Sequence, residues 1–262
     1  MKKYILITGS TDGIGKLLAL RLAKEGHIVA VHGRNQAKLE TTLKEIKEES
    51  NNENVIGFLA DFSSLADVKK MAADVIEKMP KIDVLVNNAG IFTSKVDSTP
   101  SGIDIRLAVN YLAPYQLTNS VLNLLKKSDA PRVVNLGSAA QSPVSLIALE
   151  GKANLGANEA YALSKLALTM WSFDLAKQEP NITVVAVNPG SLLNTKMAKE
   201  GYGQHWSPAE KGVDILYDLS MTDLAKTGQY FDNDKGSYAT AHPDAYNSEK
   251  IEALLKTTNQ MI

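Results

Sequence analysis

A tyrosine and a lysine four positions apart, Tyr161 and Lys165, form the pair of residues in this sequence best suited to proton transfer. On a helix, side chains at i and i+4 share one face, so the phenol and the ammonium would lie side by side. Near its start the chain also carries a glycine-rich segment that resembles a turn receiving a dinucleotide pyrophosphate, Thr8-Gly9-Ser10-Thr11-Asp12-Gly13-Ile14-Gly15. Together these features predict hydride transfer with a proton supplied by tyrosine, and hence an oxidoreductase.

Alternating strand-like and helix-like segments would position these residues. The predicted strands cover residues 4–8, 27–32, 55–59, 82–86, 132–136, 182–187 and 229–231. The first predicted helix begins at residue 14. The others cover about 36–50, 63–79, 102–127, 158–178, 208–219 and 246–258. Short, nearly all-apolar strands separated by helices are typical of a parallel sheet with helices on both faces. We therefore predict an α/β fold with a single doubly wound, Rossmann-type sheet, in one catalytic domain over residues 1–262.

Composition excludes several other classes of protein. The chain has 262 residues, 44% of them apolar, a net charge of −1 and no cysteine, which rules out disulfides, thiolate metal sites and cysteine nucleophiles. The four histidines show no metal-ligand spacing, so we predict no metal site. The charge offers no basis for nucleic-acid binding, and no apolar stretch approaches the roughly 18 residues of a membrane span. We expect a cytoplasmic protein without a signal peptide.

The glycine-rich segment follows the first predicted strand and opens the first predicted helix. Gly9, Gly13 and Gly15 would allow a tight turn and let the backbone approach a pyrophosphate, which the N–H groups of the helix N-terminus would bind. The second strand ends in His32-Gly33-Arg34-Asn35, without the carboxylate that NAD sites use to bind a ribose hydroxyl. Because Arg34 offers a planar fork to a 2′-phosphate, we expect NADP (NADPH) as the preferred cofactor and NAD as the alternative. Otherwise Arg34 is an ordinary surface arginine.

The ends of the third and fourth strands would complete the cofactor site. Asp61 and Phe62 end the third strand, where an adenine would lie; Asp61 would accept a hydrogen bond from its amine or else cap the next helix. Asn87-Asn88-Ala89-Gly90 ends the fourth strand, and its small residues and amides suit close approach of a ribose. The same four residues would also form a good turn.

Ser138, at the end of the fifth strand, is the candidate donor to a substrate oxygen, because ligands bind at the carboxyl ends of such strands. Asn110 interrupts an apolar helical segment and should therefore be hydrogen-bonded or functional. Two long irregular stretches, residues 141–158 and 191–208, follow strand ends and are expected to shape the substrate site. We expect Trp206 to pack the second stretch against the domain, with contact to the substrate as the alternative. The candidate pocket residues are mostly apolar, which favours a small lipophilic carbonyl or alcohol as substrate: Ala140, Val144, Leu192 and Leu193.

These residues resemble the short-chain dehydrogenases/reductases over essentially the whole chain. The matching elements are the glycine-rich segment, Asn87-Asn88-Ala89-Gly90, Asn110, Ser138, Tyr161 with Lys165, and Asn188-Pro189-Gly190. Finer features are similar to the branch that contains retinol dehydrogenases and WW-domain-containing oxidoreductases. These features are Gly33-Arg34-Asn35, Asn110-Tyr111-Leu112-Ala113 followed by Leu117-Thr118, and Thr227-Gly228-Gln229-Tyr230-Phe231. The stretch between Ser138 and Tyr161 is longer than is common in the family.

The resemblance implies roles for the catalytic residues. Tyr161 would be the general acid in reduction and the general base in oxidation, with Lys165 and the oxidised nicotinamide lowering its pKa from about 10. Lys165 would also bind the nicotinamide ribose. Ser138 would hydrogen-bond the substrate oxygen, and Asn110 would kink its helix and hold a water that links Lys165 to solvent.

The same resemblance implies that the segment after the sixth strand contacts the nicotinamide. Pro189, Gly190 and the residues after them, including Leu192, would pack on its amide group. Either Thr195 or Asn194 would reach the carboxamide, because the usual threonine is displaced by one position in this sequence.

The helix over residues 160–176 is apolar nearly all round, which predicts burial and hints at a subunit interface. Family members often form dimers or tetramers through this helix, so we expect a homo-oligomer. A dinucleotide-binding regulator or scaffold without activity is the alternative function, and the intact Ser138, Tyr161 and Lys165 count against it. An epimerase or dehydratase using the same Tyr/Lys pair is a third option, which the modest chain length disfavours.

Overall fold

A computed structural model describes residues 2–262 of the chain. The strands in this part of the chain are β1 (Tyr4–Ile7), β2 (Ile28–Gly33), β3 (Val55–Leu59), β4 (Val84–Asn87), β5 (Arg132–Leu136), β6 (Thr183–Asn188), β7 (Gln229–Asp232) and β8 (Ser237–Ala239). They form one sheet in the order β3-β2-β1-β4-β5-β6-β7-β8. Neighbouring strands are parallel except β7 and β8, which are antiparallel. The strand order reverses direction between β1 and β4, which is where ligands bind in open sheets of this kind.

Helices cover both faces of the sheet. They are α1 (Gly13–Lys24), α2 (Gln36–Ser50), α3 (Leu65–Lys78), α4 (Ile105–Leu107), α5 (Ala113–Ser120), α6 (Leu122–Leu125), α7 (Leu146–Leu149), α8 (Ala157–Gln178), α9 (Lys196–Tyr202), α10 (Ala209–Met221) and α11 (Ser248–Asn259). A π-helical turn covers Ala108–Leu112, and a 3₁₀ helix covers Pro243–Tyr246. One apolar cluster lies between the sheet and α3, α5, α8 and α11; the other lies between the sheet and α1, α2 and α10.

The predicted α/β fold class is confirmed, and each predicted strand is present within two residues of its predicted bounds. The sequence did not reveal β8, which adds an antiparallel strand to the edge of the predicted parallel sheet. This strand has only three residues, which is too short for apolar periodicity to be recognised in the sequence.

The prediction of one long helix over residues 102–127 is wrong. Helical structure begins at Ile105, widens into the π-helical turn at Ala108–Leu112, and is interrupted at Val121 between α5 and α6. The amide of Ala113 donates to the carbonyl of Ala108, five residues earlier, and Pro114 has no N–H with which to restore the usual spacing. The two stretches predicted to be irregular contain the short helices α7 and α9.

The apolar side chains of α8 are buried within the described chain itself. Trp171 is 2% exposed and packs near Tyr115 of α5, with their ring centroids 5.3 Å apart. Helix α11 covers this region, because the Tyr111 hydroxyl meets Thr258 at 2.7 Å and the Tyr115 hydroxyl donates to Asn259 at 2.7 Å. The burial that suggested a subunit interface is therefore accounted for within one chain, and the homo-oligomer stays a prediction.

None of the helices described in residues 2–262 combines the length and the apolar character needed to cross a membrane.

Candidate active site

A cavity of about 740 Å³ opens at the carboxyl ends of the central strands, within the usual size range of ligand sites. It brings together most of the residues that the sequence singled out. Those on its wall are Gly9, Thr11, Asp12, Gly13, Ile14, Gly15, Arg34, Asp61, Phe62, Asn88, Ala89, Gly90, Ser138, Tyr161, Lys165, Pro189, Gly190, Leu192 and Thr195. Three further residues that were predicted to belong to the site do not line the cavity: Ser10, Asn35 and Asn110. The side chain of each forms hydrogen bonds with backbone near the cavity.

The glycine turn fits closely against the end of β4. Gly9 has a φ of +62°, and a Cβ there would lie 2.7 Å from the Cα of Ala89. A Cβ at Gly15 would collide with the Asn88 amide, whose nitrogen donates to the carbonyls of Thr8 and Gly9. Glycine is therefore required at both positions, because the residues that follow β4 lie against the turn. The N-terminus of α1 faces the cavity. Such a cradle of backbone N–H groups at a helix start fits a pyrophosphate.

His32 fastens the glycine turn to the neighbouring strands, a role that sequence reasoning missed. Its Nδ1 accepts from the amide of Gly9 at 2.9 Å, and its Nε2 lies 3.1 Å from the carbonyl of Ala60. Since a carbonyl can only accept, the proton of the neutral ring must be on Nε2. The Ser10 hydroxyl completes the tie by donating to Ile7 and accepting from the amide of His32. Burial lowers the pKa of His32 to about 4, so the ring stays neutral at physiological pH.

His32 should make the stability of the protein depend on pH in the acidic range. The unfolded histidine binds a proton below about pH 6.5 and the folded one only below about pH 4, so the unfolding free energy falls as pH drops through this window. We expect His32 to contribute about 2 kcal/mol of the loss between pH 7.5 and pH 5. In urea unfolding of His32→Asn at both pH values, this part of the loss should disappear.

A matched control is His205→Asn, because His205 is exposed in the segment after β6. This variant should keep the wild-type loss of unfolding free energy. Burial also lowers the pKa of His27, so some dependence on pH should remain in His32→Asn. Equal losses in His32→Asn and the wild type would show that His32 is not the buried neutral histidine described above.

Of the two predictions for Asp61, the one that makes it the cap of the next helix is wrong, because Ser64 is the N-cap of α3. One oxygen of Asp61 accepts from the amide and hydroxyl of Ser63 and so forms the turn before α3, whose N-cap is Ser64. Asp61 also lies on the cavity wall, beside Phe62, whose ring stacks on His32 with centroids 4.2 Å apart. The Asn35 side chain instead caps α2 by accepting from the amide of Lys38.

Two cations, Arg34 and Lys38, lie on the cavity wall at the end of β2. Lys38 was not predicted, and its ammonium lies 2.5 Å from a carboxylate oxygen of Asp12. Burial opposes ionisation of Asp12, but the hydrogen bonds from Lys38 and from the amide of Gly13 outweigh it, so the pKa of Asp12 is lowered. A negatively charged group entering this corner would meet two cations and one carboxylate.

Tyr161 and Lys165 face the same cavity from α8, as their spacing predicted. The Lys165 ammonium lies 5.6 Å from the centre of the Tyr161 ring and donates to the carbonyl of Leu136 at 2.7 Å. Lys165 is 3% exposed, and burial lowers its pKa to about 8. Phe92, which sequence reasoning missed, packs edge-on against the Tyr161 ring with centroids 5.2 Å apart. The phenol is thus held between an aromatic wall and a cation.

Ser138 lies on the cavity wall just beyond β5, and its hydroxyl oxygen accepts from the amide of Ala140 at 3.1 Å. That bond uses a lone pair of the hydroxyl and leaves its hydrogen available to a substrate oxygen. Of the apolar residues predicted to line a substrate pocket, Ala140, Leu192 and Leu193 are on the wall, whereas Val144 packs against the core behind it.

Asn110 lies in the π-helical turn, 1% exposed, and its side chain makes three hydrogen bonds. Its amide nitrogen donates to the carbonyl of Ile91 and the hydroxyl of Ser164, and its oxygen accepts from the amide of Ile91. Asn110 therefore links the end of β4 to the helix that carries Tyr161. The expectation that the helix departs from regular geometry at Asn110 agrees with the π-helical turn.

The segment after β6 forms the remaining wall. Its base is closed where the carbonyl of Leu192 accepts from the amide of Trp206 and the amide of Asn194 donates to the carbonyl of Ser207. Thr195 lies on the wall and Asn194 is exposed beside it, which favours Thr195 as the contact to a carboxamide. Trp206 is 70% exposed at the rim, so the expectation that it packs this segment against the domain is wrong.

The turn between β7 and β8 holds the start of this segment. Asn188 donates to both Asp232 and Asp234, and Asp234 accepts from the amide of Ser191 at 2.9 Å. Burial acts to raise the pKa of Asp234, but the hydrogen bonds from Ser191 and Asn188 outweigh it and the pKa is lowered. Pro189 and Gly190 are therefore fixed from both sides.

Comparison with known proteins identifies the class. The model of the short chain dehydrogenase family matches residues 3–205. The chain belongs to this family of NAD(P)-dependent dehydrogenases and reductases, within its retinol dehydrogenase-like branch.

Among curated relatives, human (Homo sapiens) retinol dehydrogenase 13 is 32% identical over 208 residues, covering 78% of this chain and 61% of that protein. Human polyprenol dehydrogenase is 33% identical over 281 residues, covering 99% of this chain and 81% of that protein. A short chain dehydrogenase from Shigella flexneri 2a strain 301, solved in complex with NADP, superposes with a TM-score of 0.71 at 28% identity. That superposition covers 88% of this chain and 97% of the other.

Proposed function

We propose that this protein is an NADP-dependent oxidoreductase that interconverts a carbonyl compound and the corresponding alcohol. The observation that carries the proposal is the common cavity, on whose wall Ser138, Tyr161 and Lys165 lie together with the glycine turn at the start of α1. The NADP complex of the Shigella relative supports a nicotinamide cofactor. The fit of the glycine turn against Ala89 and Asn88 supports a pyrophosphate at the same place.

The side chains divide the chemistry of reduction among them. The bound cofactor would supply a hydride to the carbonyl carbon. Ser138 donates a hydrogen bond to the carbonyl oxygen and stabilises the negative charge that develops there. Tyr161 then gives its phenolic proton to that oxygen, which completes the alcohol. Lys165, with its positive charge next to the ring, stabilises the phenolate that remains. Oxidation of an alcohol uses the same groups in reverse.

NADP is the preferred cofactor in this proposal because of the two cations at the end of β2. Arg34 and Lys38 lie on the wall at the place where the ribose 2′-phosphate of NADP would approach, and the guanidinium suits its oxygens. Asp12 holds Lys38 at the cavity, and a phosphate would compete with this carboxylate for the ammonium. NAD lacks this phosphate and would gain less from both cations.

Titration calorimetry of the purified protein with NADPH and NADH tests the cofactor proposal. We expect NADPH to bind at least tenfold tighter, a margin of about 1.4 kcal/mol, and Arg34→Ala to remove most of it. Lys38→Ala should reduce the margin by a smaller factor, because Asp12 already engages Lys38. NADH affinity should be nearly constant across the variants, and raised salt should weaken NADPH more than NADH.

Lys44→Ala is the control, since Lys44 lies on the same helix, pairs with Glu48, and is exposed to solvent. Equal affinities for NADPH and NADH in the wild type would contradict the choice of cofactor. A screen of aldehydes and ketones with NADPH tests the reaction itself; failure to turn over any carbonyl, with NADPH bound, would favour the regulator or scaffold instead.

The substrate we propose is small and lipophilic. Besides the residues already assigned to the cofactor and the chemistry, the cavity wall carries several apolar side chains: Phe92, Val109, Ala139, Ala140, Leu192, Met197 and Trp206. Such a surface binds a substrate chiefly by removing apolar area from water, at about 25 cal/mol per Å². The retinol and polyprenol dehydrogenases among the relatives are named for lipophilic alcohols, which agrees with this class. The cytoplasmic location and the homo-oligomer inferred from the sequence stay predictions.

A further inference from the structure

The segment Thr227-Gly228-Gln229-Tyr230-Phe231 matches the retinol dehydrogenase-like branch in sequence and yet lies far along the chain from Ser138, Tyr161 and Lys165. It forms the start of β7, and its first two residues fasten it to β6. The Thr227 hydroxyl donates to the carbonyl of Ile182 and accepts from the amide of Val184, and the amide of Gly228 donates to the carbonyl of Val184. The position of the next residues relative to the sheet is thereby fixed.

Tyr230 reaches from this strand to the loop that carries Ser138. Its hydroxyl donates to the main-chain carbonyl of Ser138 at 3.0 Å, and its ring edge lies 3.8 Å from the place a Cβ would occupy at Gly137. Tyr230 is 4% exposed and lies behind the described cavity wall. Its hydroxyl therefore acts on the loop and does not touch a substrate.

A second donor meets the same carbonyl oxygen. The side-chain nitrogen of Gln141 donates to the carbonyl of Ser138 at 3.0 Å, while its oxygen accepts from the amide of His242 at 2.9 Å. Both lone pairs of the Ser138 carbonyl are thus used, one by β7 and one by a residue tied to the segment after β8. The peptide plane that follows Ser138 cannot rotate without breaking at least one of these bonds.

The orientation of that peptide plane governs the Ser138 hydroxyl. The hydroxyl oxygen accepts from the amide of Ala140, two residues on, so a rotation of the intervening peptides would move the donor that orients it. We propose that Tyr230 is a positioning residue for the reaction, holding the Ser138 carbonyl so that the Ser138 hydroxyl points at the substrate oxygen. This inference rests on the proposed function, because it assumes that Ser138 donates to a substrate.

The environment of Tyr230 suits a permanent donor. Burial, together with the negative charges of Asp232 and Asp234, raises the pKa of Tyr230 above that of an ordinary phenol. The hydroxyl therefore keeps its proton over the whole range in which the enzyme would work. Tyr161, on the wall of the cavity, is the tyrosine that transfers a proton, and Tyr230 is the one that does not.

The test is Tyr230→Phe, measured in steady-state reduction of a carbonyl substrate with NADPH. We expect kcat to fall about tenfold, which corresponds to the loss of one hydrogen bond that positions the Ser138 loop. The KM of NADPH should be unchanged. The shape of the pH profile should not change, because no proton moves through Tyr230. Amide exchange in a peptide covering residues 137–142 should become faster, a readout independent of turnover.

Two further variants separate positioning from a general loss of structure. Tyr238→Phe is the matched control. Tyr238 lies in the adjacent strand β8, and its hydroxyl also donates to a main-chain carbonyl, that of Leu224. It should lower the melting temperature about as much as Tyr230→Phe and leave kcat unchanged. In a Ser138→Ala background, Tyr230→Phe should cost nothing more, because the group through which Tyr230 acts is gone.

A fall in kcat of threefold or more that vanishes in the Ser138→Ala background supports the proposal. A smaller fall, or an equal fall with and without Ser138, overturns it and leaves Tyr230 as part of the core. The proposed function fails in a different way, since the wild type would then reduce no carbonyl, or Ser138→Ala itself would leave turnover intact.

Discussion

Replacing Tyr161 by phenylalanine is expected to lower kcat for carbonyl reduction by a factor of roughly 10² to 10⁴, the range that general acid catalysis supplies. In the proposed mechanism the phenol on the cavity wall is the proton donor, and the substitution removes its oxygen alone. The contact of the ring with Phe92, with centroids 5.2 Å apart, should be retained. We therefore expect NADPH affinity within about threefold of the wild type. Stopped-flow measurement of NADPH oxidation, with calorimetry alongside, checks both expectations.

The control for this experiment is Tyr217→Phe. The Tyr217 hydroxyl of α10 donates to Glu25 at the end of α1, and neither residue lines the cavity. Its kcat should equal that of the wild type. If Tyr161→Phe kept more than a tenth of the wild-type kcat, the proton would have to come from another group or from water, and the proposed mechanism would be wrong.

Lys165→Met is expected to abolish most of the activity while making the protein more stable at neutral pH. The folded protein at pH 7 carries a buried ammonium whose pKa is lowered from 10.5 to about 8, a cost of roughly 3 kcal/mol. Methionine has a similar length and removes the charge. It also leaves the carbonyl of Leu136 without its donor, which destabilises the variant by about 1 kcal/mol. The unfolding free energy of the protein without cofactor should therefore rise by about 2 kcal/mol at pH 7.

The sign of the pH dependence is specific to a lysine with a lowered pKa. Between pH 8 and pH 10.5 the unfolded lysine holds its proton and the folded one has lost it, so the wild type gains stability relative to the variant as pH rises. The advantage of Lys165→Met should therefore shrink steadily between pH 8 and pH 10. Urea unfolding at several pH values measures it.

Lys177→Met, at an exposed position of the same helix, should show no such trend and little change in activity. A Lys165→Met protein that is less stable than the wild type at pH 7 would mean that the lysine contributes more through its hydrogen bond than it costs through burial.

The site could be predicted from the sequence where chemistry depends on local spacing. Tyr161 and Lys165 share a helix face because of the helical repeat, and the glycine turn depends on eight consecutive residues. The strands could be predicted from short apolar runs, because both faces of the central sheet are buried. In each case the relevant neighbours are close in sequence, so the pattern contains the information.

Contacts between distant segments could not be predicted in the same way. Lys38 belongs to a highly charged helix, where a lysine normally faces solvent, and only the fold brings it to Asp12. His32 read as one residue of an apolar strand, although its ring joins the glycine turn to the end of β3. The long helix predicted over residues 102–127 failed because apolar periodicity does not reveal a π-helical turn, which depends on Pro114 and on the bonds of Asn110.

The position of α11 has a consequence for the order in which the molecule is made. During synthesis, α5 and α8 leave the ribosome well before α11, the helix that supplies the partners of Tyr111 and Tyr115. Until then Tyr111 and Tyr115 lack these partners, so the aromatic cluster that joins Tyr115 to Trp171 is expected to be incompletely packed. The helix that carries Tyr161 and Lys165, although encoded in the middle of the chain, is therefore expected to pack fully only when α11 docks.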